Sequence, residues 1–507
     1  MKYTMKLMLF SLLVWGYICA QSIVYSKSDR PNVLFIGVDD LRPEIGAYGS
    51  PMAITPNLDK LAEDSVVFKR AYVQQAVCSA SRASFLTGLR PDSTGADYPY
   101  SEYFVNEVLP KYPSLSRYFF SQGYFVRNIG KIHHGLQEHL SEREYQPPFI
   151  PHYQLPENIE AGKAYPNGRG PTTPAYEAAD LPDANYKDGK VALEVIATLK
   201  RYYNSGKEAP FFLAAGFYKP HLPFVAPKRY FDLYNPTAIQ LPQNYQLDTS
   251  QHAVSTAHYA LKKYLGPSTE SRKQLPKPYA RELIHAYLAC VSFVDAQIGL
   301  ILESLDSLGL SSNTIIVFWS DHGWHLGEQG MWGKTTNFEN ATRAPLMIKA
   351  PQTGHYGSHS QALVEYVDLY PTLLELTGHD IPSYLEGTSL VPLLKEPNRP
   401  WKSAAFSQFP RGNKIEGYAI RTDHYRYVAW HHKDLETGTK GILVHRELYD
   451  HKIDPLESTN LADHQYYTAT VEALSAQLYA GWKAALPAGV SNAAQNPVAP
   501  VAIKYKK

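Results

Sequence analysis

The chain predicts an α/β fold: a large, mixed but mostly parallel sheet flanked by helices, followed by a smaller C-terminal α+β domain. Three observations carry this expectation. Short apolar runs without polar alternation recur along the chain, helical patterns separate them, and the sequence changes character after about Leu390. With 507 residues, 44% hydrophobic and 19% charged, the chain is long enough for a large core plus a second, smaller unit. We expect a leader over residues 1–20, a main domain over 21–389 and the smaller domain, with a flexible tail, over 390–507.

The leader reads as an export signal. Lys2 and Lys6 make its start positive, Leu7 to Ile18 form an apolar run, and Ala20 can precede the cleavage point. The run is too short to favour a permanent span. Gly16-Tyr17-Ile18 is a poor approach to a lipidated Cys19, so a lipid anchor there is the weaker alternative. The expected destination is a bacterial periplasm or the exterior. No later segment reads as a bilayer span.

Pro31–Asp40 is a continuous apolar run ending in two aspartates, the pattern of a strand buried on both faces. Thr55-Pro56 reads as a helix cap and first helical residue. Ala209–Gly216, Thr314–His322 and Pro345–Ala350 are further buried-strand candidates. Arg281–Leu308 repeats Leu283, Tyr287, Val291, Val294, Ile298, Ile301 and Leu305 at helical spacing. Between these elements, 146–190 and 234–278 are rich in Pro, Gly, Asp and Asn, as expected of loops that rim a pocket or merely decorate the surface. In the C-terminal part, Arg421–Trp430 and Glu447–Asp450 read as short antiparallel strands, Val471–Ala485 as a helix, and Asn496–Lys507 as a disordered tail.

Composition excludes some partners. The formal net charge is +1 and no basic run occurs, so nothing points to nucleic acid or to a stable membrane partner. Only three cysteines are present, and one lies in the leader, which leaves too few for a disulfide framework. Cys290 falls within the helical pattern and reads as an inert core thiol. Cys78 has different neighbours.

Two buried-strand candidates end in residue types that ligate metals: Asp39-Asp40 and Asp321-His322. The carboxyl ends of strands in an open α/β sheet face the ligand crevice, so these four side chains can converge. Clustered carboxylates need a cation, and a hard divalent ion is the natural one. Either pair alone is as readily a turn or capping pair; both at matching strand ends shift the reading to a metal site. Beside them stands Cys78-Ser79-Ala80-Ser81-Arg82. A helix beginning at Cys78 sets Arg82 one turn on and on the same face, where helix terminus and guanidinium both favour an anion.

This segment, continued by Phe85-Leu-Thr-Gly88 and Arg90-Pro-Asp92, resembles the signature Cys-x-Pro-x-Arg of the formylglycine-dependent sulfatases. Gly130-Lys-Ile-His-His134, Lys219-Pro-His-Leu-Pro-Phe224, Ser320–Glu328, Trp332-Gly-Lys334, Ser407–Arg411 and Ile420–Asp423 extend the resemblance over most of the chain. It is nearest to the iduronate-2-sulfatases and their bacterial relatives. The one departure is Ala80 where proline is usual, a slot in which some maturation systems accept alanine.

The resemblance implies an alkaline-phosphatase-like fold with 21–389 as the catalytic domain. It implies Ca2+ held by Asp39, Asp40, Asp321, His322 and residue 78, and Cys78 oxidised to formylglycine by a formylglycine-generating maturation enzyme. A hydrated aldehyde has two hydroxyls: one attacks sulfur and displaces the alcohol, and loss of a proton from the other lets sulfate leave. Arg82, Lys131 and His134 would fix the hydrate, with the neighbouring His133 an ambiguous second choice. His221 and Lys334 would bind sulfate and protonate the leaving oxygen. Trp324, His325 and Arg411 are expected at the pocket edge, as sugar contacts or as ordinary packing. The implied substrate is a sulfated carbohydrate, such as the 2-O-sulfate of a uronic acid in a glycosaminoglycan or in an algal polysaccharide such as ulvan. Two alternatives stand beside it: a phosphonate or phosphate monoester hydrolase of the same superfamily, and a non-catalytic carbohydrate-binding relative whose cysteine stays unmodified.

Overall fold

The computed structural model describes residues 30–96, 104–134, 146–147, 150–246, 253–256, 260–267, 274–351, 353–412, 414–433 and 440–489. The leader with Cys19 and the 496–507 tail lie outside the described residues. Seven strands form the main sheet: β1 (Asn32–Asp39), β2 (Val66–Tyr72), β3 (Phe125–Gly130), β4 (Phe211–Pro220), β5 (Thr314–Ser320), β6 (Leu346–Lys349) and β7 (Ser358–Glu365). Their order is β7-β2-β6-β5-β1-β4-β3, and only β6 runs antiparallel to its neighbours. The expectation of a large, mixed but mostly parallel sheet holds.

β1 is an interior strand, paired in parallel with β4 and β5. Its residues alternate between two cores, which is why the run shows no polar position. Leu34, Ile36 and Val38 face one layer, built largely on α3 (Lys187–Asn204) and α4 (Lys277–Ser307). Val33 and Phe35 face the other, with Phe85, Phe212 and Trp319. α4 carries Cys290, fully buried with its thiol pushed up to about 12 by burial. By length and composition α4 could cross a membrane, contrary to the sequence reading, but 72% of its most apolar window is buried in the protein. It is the core helix of one layer.

α1 (Pro56–Glu63) begins where Thr55-Pro56 indicated. The Thr55 hydroxyl, however, accepts from Gly46 N–H at 2.9 Å instead of capping the helix. The first-turn N–H groups of Asn57 and Leu58 are taken by the Asp295 carboxylate of α4, at 3.3 and 2.7 Å. A helix distant in sequence supplies the cap.

The smaller sheet is antiparallel, in the order β8 (Ala405–Arg411), β9 (Ile415–Arg421), β10 (Tyr425–Lys433) and β11 (Lys440–Asp450). Arg421–Trp430, read as one strand, is the end of β9, a turn and most of β10: Thr422 N–H closes the turn on the Tyr425 carbonyl at 2.9 Å. The last helix covers Thr468–Ala480 and gives way to a short 3-10 turn before Ala485. This sheet packs against the main domain, and its Phe409 touches Val77 and Ala80.

Candidate active site

The carboxyl ends of β1 and β5 lie side by side, Val38 opposite Ser320, so the residues that follow them meet. Asp39 closes β1, and Asp40 turns the chain in the left-handed region (φ 64°). That turn is held from three sides. Asp40 N–H donates to Asp321 Oδ1 at 3.1 Å, Tyr287 hydroxyl donates to the Asp40 carbonyl at 2.9 Å, and Leu41 N–H donates to Ser320 Oγ at 3.0 Å.

The helix α2 (Cys78–Thr87) starts at Cys78, and all its residues are buried. Cys78 Sγ lies 3.3 Å from Asp39 Oδ1, 3.8 Å from Asp40 Oδ1, 3.3 Å from His322 Nε2 and 3.0 Å from Lys334 Nζ. One turn on, Arg82 is wholly buried. Its Nε donates to Asp321 Oδ2 at 2.9 Å, and Nη1 donates to the carbonyls of Lys131 and of Ile132, the latter at 3.0 Å. Nη2 stands 3.7 Å from Asp39, and the guanidinium lies 5.1 Å from the Trp319 ring centre. Lys131 pairs with Asp39, and Lys334 with Asp40 at 2.5 Å.

Electrostatics separates the groups. Burial drives the Asp40 carboxyl up to about 7, Lys334 opposing and Asp39 adding repulsion. Burial also works against the Asp39 carboxylate, yet Lys131 and the other cations hold it well below the usual carboxylate range. Burial, with Asp39 beside it, pushes the Cys78 thiol well above its ordinary value. An unmodified thiol here is therefore a poor nucleophile. Burial keeps His221 neutral, and its Nδ1–H donates to the Leu222 carbonyl at 2.6 Å, leaving Nε2 4.0 Å from Asp40. Both His133 and His134 are lowered to about 3, chiefly by burial. Only His134 also feels Lys131, Asp39 and Lys334, which favours it of the two.

The donor set fits a hard divalent cation. One ligand atom from each of Asp39, Asp40, Cys78, Asp321 and His322 lies within 4.8 Å of every other. Asp40 Oδ2 is buried with no hydrogen-bond partner among the described residues. His322 Nδ1–H donates to the Gly323 carbonyl at 3.0 Å, which turns the Nε2 lone pair toward the carboxylates. Oxygen donors with a single imidazole suit calcium, with Sγ marking where the oxygen of a modified residue 78 would stand.

A cavity of about 780 Å³ opens onto this cluster and is lined by Asp39, Cys78, Lys131, His133, His134, His221, Trp324 and Lys334. Both stretches expected at the rim contribute lining residues, among them His152 and Arg169 from 146–190 and Lys262 and Tyr264 from 234–278. Of the three expected edge residues, Trp324 reaches the wall. The other two do not line the cavity. His325 is 1% exposed, bonded to Thr336 Oγ1 at 3.0 Å and set edge-on to Phe338, because the short 325–326 strand turns it inward. Arg411 donates to the carbonyls of Val254, Ser255, Thr256 and Thr335 and stacks against Trp430, tying the small sheet to the 253–256 loop. Sequence reading also missed Arg169, Lys187 and Lys219 as cavity residues. Arg169 and Lys187 are single cations in a loop and at a helix start and carry no pattern of their own, whereas Lys219 opens the Lys219–Phe224 motif, in which the resemblance attached a role only to His221.

Comparison with known proteins shows the family and the fold. The sulfatase family profile matches residues 31–379, and the profile of the N-sulphoglucosamine sulphohydrolase C-terminal region matches residues 327–483. The iduronate 2-sulfatase of Mus musculus is 32% identical, over 92% of this chain and 97% of its own. The structure of BT4656 in complex with its substrate D-glucosamine-2-N,6-O-disulfate superposes with a TM-score of 0.69 at 24% identity, over 89% of this chain and 97% of that one. The phosphonate monoester hydrolase of Agrobacterium radiobacter superposes equally well, at 0.69 and 24% identity over 89% and 95% of the two chains. Matching profile over most of its length, and shared identity over nearly the whole of a relative, this chain belongs to the sulfatase family of sulfuric ester hydrolases.

Proposed function

We propose that the protein hydrolyses a sulfate ester on a uronic-acid-containing carbohydrate, using residue 78 as formylglycine and calcium at the carboxylate cluster. The observation that carries this is the position of Cys78 Sγ, within 3.8 Å of Asp39, Asp40, His322 and Lys334 at the floor of a cavity. Calcium there would neutralise sulfate oxygens and the hydrated aldehyde would supply the nucleophile.

The protein's own side chains set the rest. Asp39, Asp40 and Asp321 face Arg82, Lys131 and Lys334, three carboxylates against three cations. A dication and a monoanionic sulfate ester add one net positive charge to this balance, which favours loss of a proton at residue 78. Arg82 is anchored by a carboxylate and two carbonyls and so holds its end of the site rigid. Lys334 touches both Asp40 and residue 78, the position needed to bind a sulfate oxygen and steady the leaving group. His221, with Nδ1–H committed to Leu222, presents Nε2 to the cavity; bound sulfate would raise its proton affinity and suit it to protonate the departing oxygen.

Cys78 and Ala80 are at most 2% exposed, so oxidation by a maturation enzyme has to precede packing of α2. A cavity walled in part by long loops suits terminal residues of a chain, and equal sulfate release from internal residues of intact polymer would contradict that. The iduronate 2-sulfatase relative supports a uronate 2-O-sulfate as the first substrate to try. The test has two parts: mass spectrometry of the peptide holding residue 78 from the native host, and sulfate release from defined sulfated oligosaccharides, with a phosphonate ester assayed alongside. Thiol-to-aldehyde conversion with sulfate release supports the proposal. Free thiol only would point to a binding protein, and faster phosphonate than sulfate turnover to the other hydrolase class.

A further inference from the structure

The cavity has a second cationic wall that the sulfate site leaves unused. Lys187 opens α3, Lys219 lies near the end of β4, and Arg169 comes from the irregular 146–190 stretch; all three line the cavity. One carboxylate accompanies them, that of Asp188, and its oxygens are taken by the backbone N–H groups of Tyr218 and Lys219 at 2.7 and 2.9 Å. The Lys219 ammonium donates to the carbonyl of His221 at 2.6 Å, and Arg169 Nη1 donates to that of Leu222 at 2.9 Å. The Lys187 ammonium lies 5.4 Å from the centre of the Tyr218 ring. No salt bridge joins any of the three cations to a carboxylate among the described residues. Burial first, and then neighbouring Lys219, brings Lys187 down to about 8; burial first, and then Lys187, brings nearby His152 to about 2.

Three partly buried cations around one already committed carboxylate are a poor arrangement for a protein alone and a good one for a protein that takes up an anion. Lys219 stands two residues before His221, so the wall and the sulfate site share one edge.

We propose that this wall binds a second oxyanion of the substrate, with Lys187 as the residue that reads it. The anion is either the carboxylate of the sulfated uronic acid or a sulfate on the neighbouring sugar. The inference rests on the proposed sulfate site at residue 78, and the test separates the two. Steady-state kinetics of the matured full-length enzyme are compared on two substrate pairs: a 2-O-sulfated uronide against its methyl ester, and a disaccharide with and without a second sulfate. 4-Nitrophenyl sulfate, which has no second anion, reports on the sulfate site itself. We expect the doubly anionic member of one pair to be preferred by roughly tenfold or more in kcat/KM, the size of one charge-assisted hydrogen bond. Which pair discriminates identifies the source. Lys187→Met should bring that ratio close to one, chiefly through KM. Equal rates within both pairs, with 4-nitrophenyl sulfate turned over, overturn this inference and leave the sulfate site standing. No sulfate release from any substrate, despite an aldehyde at residue 78, overturns both. Should Lys187→Met fail to fold, the wild-type ratios decide alone.

Discussion

Arg82 is the residue whose removal the geometry makes easiest to predict. Its guanidinium is wholly buried and serves Asp321 at 2.9 Å, Asp39 at 3.7 Å and the carbonyls of Lys131 and Ile132. Arg82→Met keeps much of the volume but leaves two buried carboxylates short of a cation and two carbonyls unpaired. Breaking a buried ion pair in this way costs about 3–5 kcal/mol, because the surviving charge stays desolvated. Unfolding entropy of about 2.1 cal/mol/K per residue amounts to roughly 1 kcal/mol per degree for a chain of this length. The melting temperature should therefore fall by about 3–5 °C in calcium-free buffer. Calcium at the same carboxylates would replace part of the lost positive charge. The difference in melting temperature between chelator and excess calcium should thus be larger for Arg82→Met than for the wild type. Differential scanning calorimetry of both proteins, with and without calcium, checks this. A melting temperature within 1 °C of wild type in chelator would refute the electrostatic account of the site, as would a calcium shift no larger in the variant.

Lys334→Met should lower sulfate release by about 10²-fold or more, measured as kcat, with some loss of stability because the buried Asp40 carboxyl loses its partner. Gly216→Ala should reduce activity with a modest loss of stability, about 1–3 kcal/mol, because the added Cβ would strike the Lys131 backbone; unaltered kinetics would show that Lys131 need not be held there. Acid should destabilise the protein through Glu365. Burial works against its charge, but Arg90 and Lys402 hold its pKa at about 2, against 4.5 when unfolded. A depressed folded value means stability that is fully present above 4.5 and lost as pH falls from there toward 2. A melting temperature flat from pH 6 to 3 would contradict that. Arg411→Ala should lower the melting temperature more than it alters KM, since its donors go to backbone carbonyls rather than to the cavity.

Much of the site could be read without coordinates because its residues sit at chain positions that geometry leaves little choice about. A strand buried on both faces delivers the residues that follow it to the carboxyl end of the sheet, and Asp39-Asp40 and Asp321-His322 mark two such ends. Arg82 is one helical turn from Cys78 wherever that helix forms. β2, β3 and β7 were not recognised. β2 contains Lys69 and Arg70, β3 contains Arg127 and Asn128, and β7 contains Ser358, His359 and Gln361, so none shows a clean apolar run. They lie toward the sheet's edges, where fewer faces are covered.

Fold class, family and the convergence of Asp39, Asp40, Cys78, Asp321 and His322 were legible from the residues alone, since short-range pattern and motif spacing carry that information. Three-dimensional packing was needed to show that Asp295 and not Thr55 caps α1, that His325 and Arg411 pack away from the cavity, and that Arg169, Lys187 and Lys219 line it together with His221. Those outcomes depend on which groups come within hydrogen-bonding reach after the chain has packed, and elements far apart in sequence bring them together.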